Sequence, residues 1–206
     1  VRIKTIVYSG ANGDKCTISF EDGTELKSFA SVIVSAGVYT GMEMTQAEYL
    51  VLKNASAAAG AKAKAAAIAA RAPLSRAMLE KKLREKGEAP EHIKSAADWL
   101  DDIGAVNDGE YAAVLVRHYS AKGYGRIRLK EELRRHGIDK ELWDGALEET
   151  PDPSAFIGAF IAKRLPARAE KDRAAVKKVS DALLRRGYSY EEIKNALERY
   201  LDTPED

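Results

Sequence analysis

Residues 129–147 read Leu129-Lys130-Glu131-Glu132-Leu133-Arg134-Arg135-His136-Gly137-Ile138-Asp139-Lys140-Glu141-Leu142-Trp143-Asp144-Gly145-Ala146-Leu147, and the same pattern stands fifty residues upstream and fifty downstream. Gly87, Gly137 and Gly187 share one phase, with Leu83, Leu133 and Leu183 four residues earlier and Leu79, Leu129 and Val179 eight earlier. After each glycine come Glu91, Glu141 and Glu191, then Ile93, Trp143 and Ile193, then Ala96, Ala146 and Ala196, then Ala97, Leu147 and Leu197. The columns before the glycine describe an apolar helix face that ends in the residue best able to turn left-handed. Those after it describe the buried stripe of a second helix, with a glutamate in its first turn, where the helix dipole favours a negative charge. A sustained period of this length marks a repeat architecture.

Working outward, each copy has room for a leading helix: Ala55 to Arg71, Asp108 to Ala121, and Ser154 to Lys163. Asn107 with Glu110 is a candidate N-cap for the second, Asp139 and Ser189 are candidate caps for the third helices, and Ser189 with Glu192 has the capping-box spacing. The unit is therefore three helices, and neighbours must stack to bury enough surface. The expected fold is mainly α: three tandem three-helix repeats in an elongated curved array, preceded by a small β-rich region. The expected boundaries are 1–50 for the β-rich region, then repeats at 51–105, 106–152 and 153–206.

The start of the chain has a different period. Lys4 to Tyr8 alternates around Ile6 and Cys16 to Phe20 around Ile18, with a turn-rich Ser9 to Asp14 between them; Glu21-Asp22-Gly23-Thr24 supplies a hairpin signal. Ser31 to Val34 fits either a third strand or a turn of helix. Thr45 is a plausible N-cap, with Glu48 three residues on. Ala55 to Arg71 predicts a rod of ~25 Å, the plainer alternative being an alanine-rich linker, and Pro73 ends it.

Composition narrows the class further. The chain has 206 residues, 45% hydrophobic and 32% charged, with a net charge of +1, so any electrostatic targeting must come from arrangement. Cys16 is the sole cysteine, which leaves no disulfide within the chain and suggests a reducing, cytoplasmic home. No apolar signal core or membrane span is expected: Ala55 to Ala72 is mostly alanine and is broken by Lys62, Lys64 and Arg71.

The charges are sorted by helix. Residues 75–86, 125–136 and 175–186 each carry a net +3, while 88–103, 138–153 and 188–203 carry −4, −5 and −2. Solvation and internal pairs such as Glu131 with Arg135 explain part of this, at ~0.3–0.5 kcal/mol per pair. The same sign in three copies also suits a surface that meets nucleic-acid backbone or an acidic protein face.

Catalytic chemistry finds no foothold. His92, His118 and His136 are not at metal-ligand spacing with one another or with Cys16. Lys122-Gly123-Tyr124-Gly125-Arg126 lacks the phosphate-loop pattern and a preceding strand, so a helix-ending Gly123 and a helix-starting Gly125 explain it better. No nucleophile has a base and an orienting partner. The expectation is a non-enzymatic binder with no cofactor and no metal. His136 shares its phase with Lys86 and Arg186, as a basic group at a helix C-terminus would.

Leu100-Asp101-Asp102-Ile103-Gly104-Ala105-Val106-Asn107-Asp108, then Tyr111-Ala112, Val116-Arg117, Lys122-Gly123-Tyr124-Gly125 and Leu133-Arg134-Arg135-His136-Gly137-Ile138, resembles the signature of the RecX family, regulators of the RecA recombinase. Arg71-Ala72-Pro73-Leu74-Ser75-Arg76 is similar to that family's entry into repeat one. The likeness covers about residues 60–205 and is weaker in repeat three. Asn107 stands where the family commonly has aspartate, and the β-rich start is similar to the extended N-terminus of some members. The resemblance implies a monomer that binds the RecA–DNA filament, with single-stranded DNA in or near it. It also implies that the protein mostly inhibits RecA's ATPase, strand-exchange and coprotease activities, in DNA repair, recombination and the SOS response. A module that binds DNA directly and a scaffold without DNA contact are the competing readings.

Two residue sets follow from the helical phase. Arg76 and Arg126, eleven residues before the repeat glycine, lie near the core face (~40° for Arg126), so their stems should cover the core edge while their heads reach carboxylates or carbonyls. Arg128 and Arg135, and likewise Lys178 and Arg185, lie ~20° apart on an outward face and should reach solvent. With Lys122, Tyr124 and Arg134 they are the candidate partner- and DNA-binding residues. Repeat one has Met78 and Glu85 at these phases, so the stripe fades there.

Overall fold

The computed structural model describes residues 1–148, 150–165 and 172–201, in two compact units, Val1–Val106 and Asn107–Asp206. The protein is mainly helical, with one small antiparallel sheet at the start.

In the first unit, β1 (Ile3–Ser9), β2 (Lys15–Phe20) and β3 (Glu25–Phe29) pair in sequence order, with Ile6 opposite Ile18 and Ile18 opposite Leu26. The hairpin between β2 and β3 is tied by Asp22, whose Oδ1 accepts from the Thr24 amide at 2.9 Å and from the Thr24 hydroxyl at 2.7 Å. Alternation puts Cys16, Ile18 and Phe20 on the inner face, each at 2% exposure or less, against Val32, Ile33, Met44 and Leu52. The Ser31–Val34 run resolves as helix: it lies within α1 (Ala30–Ala36), which directly follows β3. Its β-branched residues point Val32 and Ile33 into the sheet's core and leave Val34 in solvent.

The alanine-rich segment is one helix, α2 (Gln46–Ala69), long enough for ~36 Å. A complete capping box starts it: the Thr45 hydroxyl accepts from the Glu48 amide and the Glu48 carboxylate accepts from the Thr45 amide at 2.7 Å. The linker alternative fails because both halves of the rod are packed. Its first half lies on the sheet, where the Ser28 and Ser56 hydroxyls share a buried 2.8 Å hydrogen bond. Its second half presents Ala61 and Ala65, both fully buried, to α3 (Arg76–Glu85) and α4 (Pro90–Asp102). The sequence-based join near residue 50 thus falls inside a helix that serves the sheet and repeat one alike.

In the second unit, repeat two is α5 (Asp108–Ala121), α6 (Arg126–Arg135) and α7 (Trp143–Glu148); repeat three is α8 (Pro153–Ala162), α9 (Arg173–Arg185) and α10 (Tyr190–Leu201). The repeat columns are the cores. Leu79, Leu83, Leu129, Leu133 and Leu183 are at 1% exposure or less and Val179 is at 4%, in three separate clusters, one per repeat. Gly87, Gly137 and Gly187 all take positive φ, at 78°, 71° and 87°. Asn107 caps α5 through the Glu110 amide, and Ser189 with Glu192 closes a reciprocal pair at the start of α10. Asp139 differs from expectation: its side chain makes no capping bond, and a 3-10 turn at Lys140–Leu142 precedes α7. Residues 149, 166–171 and 202–206, which fall in the acidic windows and in repeat three, lie outside the described residues.

Candidate partner-binding face

Repeats two and three are joined backbone to backbone. At the start of α6 the amides of Gly125 and Ile127 donate to the carbonyls of Arg186 and Gly187, at 2.9 and 3.0 Å, just past the end of α9. Helix starts have spare donors and helix ends spare acceptors, and the two dipoles meet with opposite sign. The approach is so close that a Cβ on Gly125 would lie 2.4 Å from the Gly187 carbonyl oxygen, and one on Gly187 would lie 2.3 Å from the Arg128 amide nitrogen. The Lys122–Arg126 stretch therefore ends α5 and starts α6, as its glycines predict, and it also seats repeat three. Arg186 completes the joint. Its guanidinium donates to the Lys122 and Gly123 carbonyls at 3.0 and 3.2 Å, at the end of α5, and lies over the rings of Tyr124, Phe156 and Phe160.

The seven candidate residues divide across this frame. Lys122 is exposed, with its ammonium 5.4 Å from the centre of the Tyr119 ring. Tyr124 is half-buried between Tyr119, Arg128 and Arg186. Arg134 and Arg135 are exposed in the last turn of α6, while Lys178 and Arg185 are exposed on α9. The structure thus groups Lys122, Tyr124 and Arg128 near the joint, and Arg134 with Arg135 at the far end of α6.

Arg128 reaches solvent with 39% of its side chain, and it is also held internally. Its guanidinium bonds both Glu131 and Glu132 at 2.8 Å, and the Glu132 side chain is only 4% exposed. A buried carboxylate stripped of its cation is costly, so Arg128 is tied to the fold. The expected Glu131–Arg135 pair does not form; Arg135 lies 3.8 Å from Glu132 instead and keeps 75% of its side chain exposed. Sequence phase missed Glu132 because Lys82 and Ala182 hold the same position in the other repeats.

Arg76 and Arg126 also part company. Arg76 reaches Glu80 at 3.1 Å, Asp98 at 2.5 Å and Asp101, so the basic and acidic stripes of repeat one meet internally. In repeat two the positions equivalent to those carboxylates are Lys130, Glu148 and Pro151, and Arg126 stays half-exposed with Asp144 at 3.7 Å.

His136 holds the expected place at the end of α6, but not as a simple cation. Burial pushes its imidazole below the ordinary value of 6.5, with Glu132 acting in the opposite sense and Arg135 adding to the lowering. Its Nδ1 and the Tyr111 hydroxyl share a 3.0 Å hydrogen bond. A histidine whose folded pKa is depressed contributes stability in full above its unfolded pKa, and that contribution is lost as pH falls toward the folded value. The melting temperature should therefore drop between pH 7.5 and pH 5, and His136→Gln should shrink that drop. An unchanged pH profile in the variant would mean that the drop has another source.

Among the described residues no group of three or more His, Cys, Asp or Glu is placed to hold a metal ion, and no helix is long and apolar enough to cross a membrane. What the fold defines is a helical-repeat protein that carries exposed cations on repeats two and three. A family model described as "RecX, second three-helix domain" matches residues 107–147. The Regulatory protein RecX of Chromohalobacter salexigens is 34% identical over 131 residues, covering 62% of this chain and 84% of that protein. The Regulatory protein RecX of Xanthomonas axonopodis pv. citri is 33% identical over 129 residues, 59% of this chain and 76% of that protein. The chain belongs to the RecX family. Its fold matches a crystal structure of regulatory protein RecX with a TM-score of 0.75 at 22% identity, over 94% of this chain and 98% of that one. RecX from Lactobacillus salivarius gives 0.63 at 23% identity, over 71% and 97%.

Proposed function

We propose that this chain is a non-catalytic, cytoplasmic regulator that binds the RecA–DNA filament and restrains the recombinase's ATP hydrolysis, strand exchange and coprotease activity. Family membership supports the partner. The observation that carries the mode of binding is the set of exposed cations in repeats two and three: Lys122, Arg134, Arg135, Lys178 and Arg185. Such groups gain affinity by displacing counterions from phosphate, or by meeting an acidic protein face.

The test is DNA-dependent ATP hydrolysis by a RecA-type recombinase with increasing amounts of this chain. Arg134 and Arg135 are the residues to change. Neutralising Arg128 would strand the buried Glu132, and a carboxylate at position 135 would crowd it. The variant R134Q/R135Q should keep its helicity and melting temperature and inhibit with affinity lowered about tenfold. Its affinity should also depend less on salt, the log–log slope shrinking by roughly one for each phosphate that the removed charges had neutralised. Undiminished inhibition by the double variant would return these residues to a solvated helix face. Equally tight binding to bare single-stranded DNA would favour direct DNA binding over the filament.

A further inference from the structure

A cavity of about 260 Å³ opens within the second unit, where the end of α5 and the start of α6 face residues 147–148 and 150–153 and the start of α10. Small-molecule sites run from roughly 300 Å³ upward, so this one suits a single side chain rather than a nucleotide. Among the described residues three carboxylates line it, Glu148, Asp152 and Glu192, against one cation, Arg126. Asp152 holds its charge firmly, because the Ser154 amide donates to it and keeps its carboxyl below the usual range. Aromatic rings form another wall: Phe156 and Tyr188 stack at 5.8 Å with 19° between planes, beside Tyr124. The Ser120 hydroxyl also lines the cavity and is buried with no hydrogen-bond partner among the described residues.

We propose that this cavity seats an arginine side chain of a protein partner. The carboxylates of the lining attract a cation, the aromatic wall gives an apolar surface for the side chain's stem, and the Ser120 oxygen supplies an acceptor for a guanidinium N–H. The molecule already shows this chemistry next door, where Arg186 lies over Phe156 at 5.6 Å with its charge spread on two backbone carbonyls. Repeat divergence leaves the space available: in repeat one the corresponding arginine, Arg76, is pinned across to α4 by Asp98 and Asp101. The proposal reaches beyond filament binding and does not depend on it.

The full chain, labelled for amide resonance measurements, is titrated with the peptide acetyl-Gly-Arg-Gly-amide, without recombinase or DNA. Saturable shifts are expected at Ser120, Tyr124, Gly125 and Tyr188, and the citrulline peptide, equal in shape but uncharged, should bind at least about threefold more weakly. E148Q and D152S should each weaken the arginine peptide by about threefold; serine at 152 keeps the cap of α8 while removing the charge. Absent shifts, equal response to the citrulline peptide, or saturable shifts of the same amides by deoxycytidine monophosphate would each overturn the proposal. None of these outcomes bears on inhibition of the recombinase, so the two readings fail separately.

Discussion

Gly187→Ala should lower the melting temperature by about 10 °C, and Gly87→Ala by only about 3–5 °C, although the two glycines hold the same place in their repeats. Both take positive φ, 87° and 78°, so an alanine at either must leave its preferred backbone region at a cost of ~1–2 kcal/mol. At Gly87 an added Cβ meets nothing within 4 Å, and that cost is the whole effect. At Gly187 the same carbon would lie 2.3 Å from the Arg128 amide nitrogen and 2.5 Å from its Cβ, so α6 must lift away. Overpacking of this kind adds ~1–3 kcal/mol, and a chain of this size loses ~2–4 °C per kcal/mol. The displacement also weakens the Gly125 and Ile127 amide bonds to repeat three. Calorimetry on both variants decides it: equal losses would mean that the joint between repeats two and three tolerates a methyl group and is looser than its geometry.

Arg186→Met should cost about 2–3 kcal/mol, or ~6–10 °C, while keeping most of the apolar stem. The loss comprises the charge-assisted bonds to the Lys122 and Gly123 carbonyls and the stacking on Tyr124, Phe156 and Phe160. Arg186→Lys should recover only part of it, since an ammonium reaches a carbonyl but lacks the planar fork that also covers rings. Hydrogen exchange gives a local readout: the Gly125 and Ile127 amides, held by the carbonyls of Arg186 and Gly187, should exchange faster in the methionine variant. Intact stability together with failure to inhibit the recombinase would instead make Arg186 a residue that touches the partner.

Much of the candidate face is legible as charge and phase, and the departures are local. Arg135 and Lys178 sit where a helical wheel puts them, in solvent. Arg128 keeps 39% of its side chain exposed, but its guanidinium is held by Glu132, one turn on, whose burial a wheel of one helix does not reveal. By phase, His136 groups with Lys86 and Arg186 as one basic position. In the structure it is a partly buried imidazole against Tyr111, whereas Arg186 reaches across to the end of α5. Identical phase places these residues alike at a helix end, and the neighbours that His136 and Arg186 meet beyond it differ.

The sequence by itself determined the repeat, its period of fifty, the leucine columns that became three cores, the glycines that end their helices, the capping residues Thr45, Asn107 and Ser189, and membership of a family. These are local or periodic properties, written in hydrophobic spacing and helix-end chemistry that each stretch of chain carries within itself. Only the tertiary structure decided that α2 belongs to both the sheet and repeat one, that Gly125 and Gly187 interlock, that Arg128 serves Glu132, and that carboxylates and rings from two repeats enclose one cavity. Each of those depends on which atoms lie within about 4 Å across the turns between helices, a distance that no spacing along the chain encodes.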